Sequence, residues 1–290
     1  MKKGKILLPL IFCVIFILSN CTPENTSFRV MSFNIRLNIA SDGKNAWPRR
    51  RELVASMIRF HKADIVGIQE ALFDQVWDME KALPEYRWLG VGRDDGEIDG
   101  EFMAIFYRND RFELLQNSTF WLSERPEKPG RGWDAACNRI VTWGKFKDCM
   151  TGKQFYYFNT HFDHLGNIAR EQSAELLLQK IKEIAADFPV VISGDFNVFP
   201  NAKPYRIIVN GTQDNSDLKL VDAKKISQNP HYGPQGTFTG FDLTNLGDAP
   251  IDYIFVKNNV TVLYHGTLSD CIDGRLPSDH FPVLAEILVE

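Results

Sequence analysis

The chain has 290 residues, 44% hydrophobic and 12% aromatic, enough to bury a full core as one large domain or two small ones. Its 33 basic and 37 acidic residues give a net charge of −4, and no Lys/Arg run follows the N-terminal segment, which argues against tight, sequence-blind binding to long nucleic acid. There is no repeat, no low-complexity tract, no CxxC pair and no His/Cys spacing suited to structural zinc.

At the N-terminus Lys2, Lys3 and Lys5 precede an apolar stretch at 6–18, followed by Ser19-Asn20-Cys21. This is the layout of a secretory signal, with an apolar region too short to span a bilayer. A cysteine at this point resembles the bacterial lipoprotein signal, in which the thiol is lipidated and becomes the new N-terminus. Asn20 departs from the small residue usual before it. Residues 1–20 thus read as a signal peptide, Cys21 as the lipid attachment, 21–27 as a polar tether and 28–290 as the domain. The alternative is an ordinary signal peptide cleaved nearby, giving a secreted protein. In either case the chain is expected to be exported, and in the first it stays on a periplasmic or cell-surface membrane. Loss of the three lysines leaves 30 basic against 37 acidic residues, a charge of about −7. Cys137, Cys149 and Cys271 cannot pair fully, and no essential disulfide is expected.

Beyond the tether, residues 28–34, 65–69, 102–107, 139–146, 154–161, 190–195, 251–256, 260–265 and 281–289 are rich in Val, Ile, Phe and Tyr and read as strands. Stretches 47–61, 74–83 and 168–186 have apolar residues at helical spacing. The Gly/Pro-rich stretches 92–100, 124–132 and 229–240 read as surface loops, where substrate contacts tend to sit.

The strand ends carry the chemistry. An apolar run closes in Ser193-Gly194-Asp195-Phe196-Asn197, presenting a carboxylate and a carboxamide two residues apart. Comparable clusters end other strands: Ser32-Phe33-Asn34-Ile35-Arg36, Gly67-Ile68-Gln69-Glu70, Asn159-Thr160-His161-Phe162-Asp163-His164, Ile251-Asp252-Tyr253-Ile254-Phe255 and Ser278-Asp279-His280-Phe281-Pro282-Val283. Each has a dull explanation alone. Jointly they supply the oxygen donors and histidines of a hard-metal phosphoryl site.

In order and composition these motifs resemble the endonuclease/exonuclease/phosphatase superfamily, the deoxyribonuclease I-like fold, over residues 28–290. The resemblance implies an α+β fold: a four-layer α/β/β/α sandwich of two mostly antiparallel sheets, with the site in a cleft at one end. It implies Glu70 as principal Mg²⁺ ligand, with Mn²⁺ or Ca²⁺ as possible substitutes, and Asn34 and Asp279 near the metal. Asp195 and Asn197 match the pair that orients water and phosphate. His280 matches the histidine on the scissile phosphate, Asp252 the carboxylate that orients it, and His161 the second histidine of the deoxyribonuclease branch. Arg36 stands where exonuclease-type members carry a further carboxylate.

Hydrolysing a phosphate ester needs an in-line water, neutralised non-bridging oxygens and a stabilised leaving oxygen. Mg²⁺ on Glu70 is expected to polarise the phosphoryl group, charged His280 to donate to it, and Asp195 to act as base with Asn197 holding geometry. Arg36, Arg139, Arg170 and His164 are the candidate phosphate contacts, although strand alternation sets His164 on the face opposite His161 and Asp163. Trp121, Trp133 and Phe241 either line the cleft or cap the core. The expected protein is a monomeric phosphoesterase acting on a small phosphorylated metabolite or lipid head group. Alternatives are a secreted or surface nuclease and a non-catalytic ligand-binding lipoprotein. A carbohydrate-active enzyme with paired carboxylates would leave Asn34, Asn197 and both histidines unexplained.

Overall fold

The computed structural model describes residues 1, 26–212, 216–244 and 246–290. The signal peptide, Cys21 and most of the tether lie outside the described residues. No helix among them is long and apolar enough to cross a membrane.

Two six-stranded sheets face each other. The first has the order β11-β12-β1-β2-β4-β3, built from β1 (Phe28–Asn34), β2 (Ile65–Gln69), β3 (Tyr86–Leu89), β4 (Ile105–Arg108), β11 (Val260–Thr267) and β12 (Val283–Val289). The second runs β5-β6-β7-β8-β10-β9, from β5 (Phe112–Trp121), β6 (Ile140–Asp148), β7 (Gln154–His161), β8 (Val190–Asp195), β9 (Val221–Asp222) and β10 (Asp252–Lys257). Each sheet is antiparallel except for one parallel pair, β1/β2 and β7/β8. Those pairs are joined through helices α1 (Arg51–Phe60) and α3 (Asn167–Ala185), the crossover that parallel neighbours require. Helices α2 (Phe73–Ala82), α4 (Lys203–Asn210) and α5 (Ala223–Ile226) complete the set.

Three apolar layers hold the sandwich together. Phe28 and Val30 of β1 point between the sheets, where they meet Tyr157, Val191 and Ile254. The alternate residues Met31 and Phe33 point outward under α1 and α2, against Val54, Ile58 and Val76. On the far side Phe158 and Ile192 pack under α3 with Leu177 and Ile181. Burial on both faces explains why the central strands read as unbroken apolar runs. The expected α/β/β/α order is therefore present.

A buried polar knot crosses the centre. Gln69 Nε2 and Ser193 Oγ both donate to Asn159 Oδ1 (2.6 and 3.0 Å), and Asn159 Nδ2 donates to the carbonyls of Ile68 and Ala104. Gly67 makes room for it, because a Cβ there would lie 2.1 Å from Ser193 Oγ. Among the described residues Cys137, Cys149 and Cys271 are free thiols.

Candidate active site

The site forms where the parallel pairs end. Asn34 closes β1, Glu70 follows β2, His161 closes β7 and Asp195 closes β8. Asp252 opens the antiparallel β10 directly opposite Asp195. Ser278, Asp279 and His280 precede β12, and Ser278 Oγ ties this segment to the Asn34 carbonyl at 2.6 Å. Arg36, Glu70 and Asn197 adopt left-handed φ of 57°, 65° and 50° just past their strands. Such a backbone costs a non-glycine residue roughly 1–2 kcal/mol, and here it turns the side chains out of the strand direction into the cleft.

Asn34 is the hub. Its Nδ2 donates to Glu70 Oε1 at 2.9 Å and to Asp195 Oδ2 at 3.0 Å. Asp195 Oδ1 accepts from the Asn197 backbone amide at 2.9 Å. Burial pushes the Asp195 carboxyl up to about 7, and the nearby charge of Asp252 adds to the rise. Burial also lifts Asp279 above the usual carboxylate range. Arg36 is braced by Asp42 at 3.1 Å and faces Glu70 and Asp279 at 3.9 and 3.8 Å. Sequence reading placed Arg36 on the phosphate; the structure places it beside the carboxylates, partly neutralising that corner.

His280 Nδ1 donates to Asp252 Oδ2 at 2.9 Å, and its Nε2 faces Asp195 Oδ2 at 3.8 Å. Burial opposes its charge, but the two carboxylates outweigh burial and hold it well above an ordinary histidine. Phe238 packs edge-on against its ring at 5.1 Å. His161 is arranged differently. Asn197 Nδ2 donates both to the Phe162 carbonyl and to His161 Nε2, each at 3.0 Å, which leaves the ring proton on Nδ1. That nitrogen faces Glu101 at 3.9 Å. Burial, then Arg139 and Arg93, hold His161 well below its ordinary range.

A second wall lies beyond His161. Arg93 Nη1 meets Glu101 Oε2 at 2.6 Å; Arg139 Nε meets Asp163 Oδ1 at 3.3 Å, and its Nη2 donates to His164 Nδ1 at 2.9 Å. The whole cleft encloses about 470 Å³ and includes Arg36, Glu70, Arg93, Glu101, Arg139 and His164 in its lining. His164 thus reaches the same cleft as His161, contrary to the alternation argument, because β7 stops at His161 and the chain then turns. Arg170 does not line the cleft. Its guanidinium donates to the Asp163 carbonyl at 2.9 Å and to Asn167, holding the loop instead of facing a phosphate. Trp121 is buried with its indole on the Arg93 carbonyl, Phe241 stacks near Arg50, and neither they nor Trp133 line the cleft.

Four contributors were not foreseen: Arg93, Glu101, Phe238 and Arg50. Buried Arg50 donates to the carbonyls of Asn45, Ile35 and Arg36 and so pins the loop after β1. Its position four residues before Val54, at a helix start, gave no sign of this.

The residues fit a hard cation. Donor atoms of Glu70, Asp195 and His280 lie within 4.8 Å of one another, and with His280 charged, the carboxylates of Glu70, Asp195 and Asp279 remain as oxygen donors. Arg36 is the nearby counter-charge to Glu70 and Asp279, and a negative excess is left to hold a divalent ion. Cys137, Asp163 and His164 also converge, but Arg139 donates to two of them and repels a cation there.

Two facing mixed sheets with an acid–histidine cleft at their end define a hydrolase of phosphoesters. Residues 31–280 match the Endonuclease/Exonuclease/phosphatase family, and the chain belongs to it. Members of this family are metal-dependent phosphoesterases. Among solved structures, a family member from Bacteroides vulgatus is 42% identical, covers 91% of this chain and all of that one, and superposes with a TM-score of 0.85. A Bacteroides thetaiotaomicron mannosyl-6-phosphatase is 39% identical over 90% of this chain and all of its own, with a TM-score of 0.84. The nocturnin of Xenopus laevis is 25% identical over 288 residues, covering 88% of this chain and 70% of that protein.

Proposed function

We propose that the protein is an exported, lipid-anchored, Mg²⁺-dependent hydrolase of a compact phosphomonoester. The observation behind this reading is the convergence of Glu70, Asp195 and Asp279 beside a charged His280 in one bounded cleft. Glu70, with Asp279, would hold Mg²⁺, which when bound would supply charge neutralisation at a non-bridging phosphoryl oxygen. Asp195 accepts a proton from the attacking water, and the Asn197 amide and Asn34 carboxamide fix its carboxylate. His280, oriented by Asp252, donates from Nε2 to the phosphoryl group. His161 stays neutral and sets the Asn197 side chain through its Nε2.

The likeness to a mannosyl-6-phosphatase supports a small monoester. So does a chain whose acidic residues outnumber its basic ones, since duplex DNA binding rests on clustered Lys and Arg. The test is a panel of sugar phosphates, phosphodiesters, phospholipid head groups and plasmid DNA, assayed with Mg²⁺ and with chelator. Monoesters should be turned over with Mg²⁺ alone, and Glu70→Ala should remove at least about 99% of the rate. Efficient DNA cleavage with no monoester turnover would favour a nuclease; full activity in chelator would end the metal mechanism. For the anchor, Cys21→Ser should abolish lipid labelling and release the protein from membranes.

A further inference from the structure

Beyond His161 the cleft has charged groups that the hydrolytic steps do not use. Arg93 and Glu101 form one pair, and Arg139 and Asp163 another, so this wall has no net charge to offer. It does have spare hydrogen-bonding capacity. The unpaired Nη1 of Arg139 and Nε of Arg93 are sealed from the cleft, so the capacity lies with their partners His164 and Glu101, which line it. His164 accepts at Nδ1 from Arg139, so its neutral ring holds a proton on Nε2. Glu101 supplies the complementary acceptor.

We infer that this wall is the subsite for the alcohol half of the ester, and that it selects a neutral polyhydroxylated group such as a sugar ring. The inference rests on the phosphomonoesterase reading above. A second phosphate or a carboxylate would meet arginines already neutralised by their own carboxylates. An acyl chain would cover the His164 N–H and the Glu101 carboxylate without pairing them, at a cost that disfavours it. A hydroxyl both accepts and donates, and it suits the His164 N–H and the Glu101 carboxylate together. The distance agrees: the wall begins one imidazole ring beyond Asp195, since His161 faces Asp195 with Nε2 at 3.4 Å and Glu101 with Nδ1 at 3.9 Å. A ring esterified to the reacting phosphate reaches that far. Sites that bind a substrate hydroxyl reject analogues lacking it, because their polar groups are then stranded.

The test compares kcat/KM for glucose 6-phosphate and mannose 6-phosphate with that for p-nitrophenyl phosphate, whose leaving group has no hydroxyl to offer. The variants are Glu101→Gln and the double Arg93→Met/Glu101→Met, which removes the pair without stranding one charge; thermal melts confirm folding. The parent should prefer a hexose phosphate. In the double variant that kcat/KM should fall about 30-fold, mainly through KM, the loss expected for two hydrogen bonds. p-Nitrophenyl phosphate should change less than about threefold. Equal losses on both substrates, or a parent that prefers a bisphosphate, would overturn the inference and leave the phosphatase reading intact. A parent that hydrolyses p-nitrophenyl phosphate without preferring hexose phosphates would do the same. Hydrolysis of no monoester at all would remove both.

Discussion

His280 and His161 face the same carboxylate, are equally buried, and titrate in opposite directions. His280 has Asp252 at 2.9 Å on its Nδ1, and the carboxylates overcome the cost of burying its charge. His161 has Asp195 at 3.4 Å, but Arg139 and Arg93 stand on its other side and reinforce burial. Burial alone therefore does not decide whether a histidine serves as a donor of charge or as a neutral strut. The sign of the surrounding charge decides it, carboxylates around His280 and arginines beside His161.

The strongest way to break this contrast is to remove each ring. His280→Asn should lower kcat/KM about 10³-fold and His161→Gln only about tenfold, measured on one monoester at saturating Mg²⁺. Equal losses would mean that both rings contact the reacting group. A smaller effect is expected from Asp252→Asn, about 10²-fold in turnover with Mg²⁺ affinity retained. Without the Asp252 charge His280 loses its proton at lower pH, so the alkaline limb of the rate profile should move to lower pH. An unmoved limb would show that Asp252 only packs.

The smallest effect is on stability. Asp195, Asp279 and His280 all titrate above their ordinary values, so each stabilises the fold below its unfolded pKa and loses that contribution as pH rises through its folded one. His161 is depressed and acts oppositely, losing stability as pH falls below about 6.5. Chelator-treated protein should therefore melt lower at pH 8.5 than at pH 7, by about 5 °C, and saturating Mg²⁺ should shrink the difference. A melting temperature that rises with pH in chelator would contradict the assigned charges.

Much of this was legible in the chain because the central strands are apolar on both faces and end in short polar clusters. Residues 28–34, 65–69, 154–161 and 190–195 coincide with β1, β2, β7 and β8. The three strands not foreseen, β3, β5 and β9, all lie at sheet edges. In β5, Gln116, Asn117 and Ser118 face solvent, so no apolar period marks the longest strand of the second sheet. Helix α5, four residues long, is too short to show a period. The site divides in the same way. Residues fixed to strand ends could be placed from sequence, whereas Arg93 and Glu101 come from a loop whose return to the cleft depends on contacts with Ala71 and Asn138. Arg170 misled because a basic residue opening a helix beside a histidine has the same local sequence whether it faces ligand or loop.

One strand separates arrival from chemistry. The chain enters β1 at Phe28 and delivers Asn34 to the cleft at the other end, about 20 Å away. Hydrogen-bonded to β12 on one side and to β2 on the other, β1 lies between two ladders along its length. Tension applied through the preceding segment would load both ladders in shear, so their bonds would have to fail together before Asn34 moved. The reacting end is thus mechanically insulated from whatever pulls on the N-terminus.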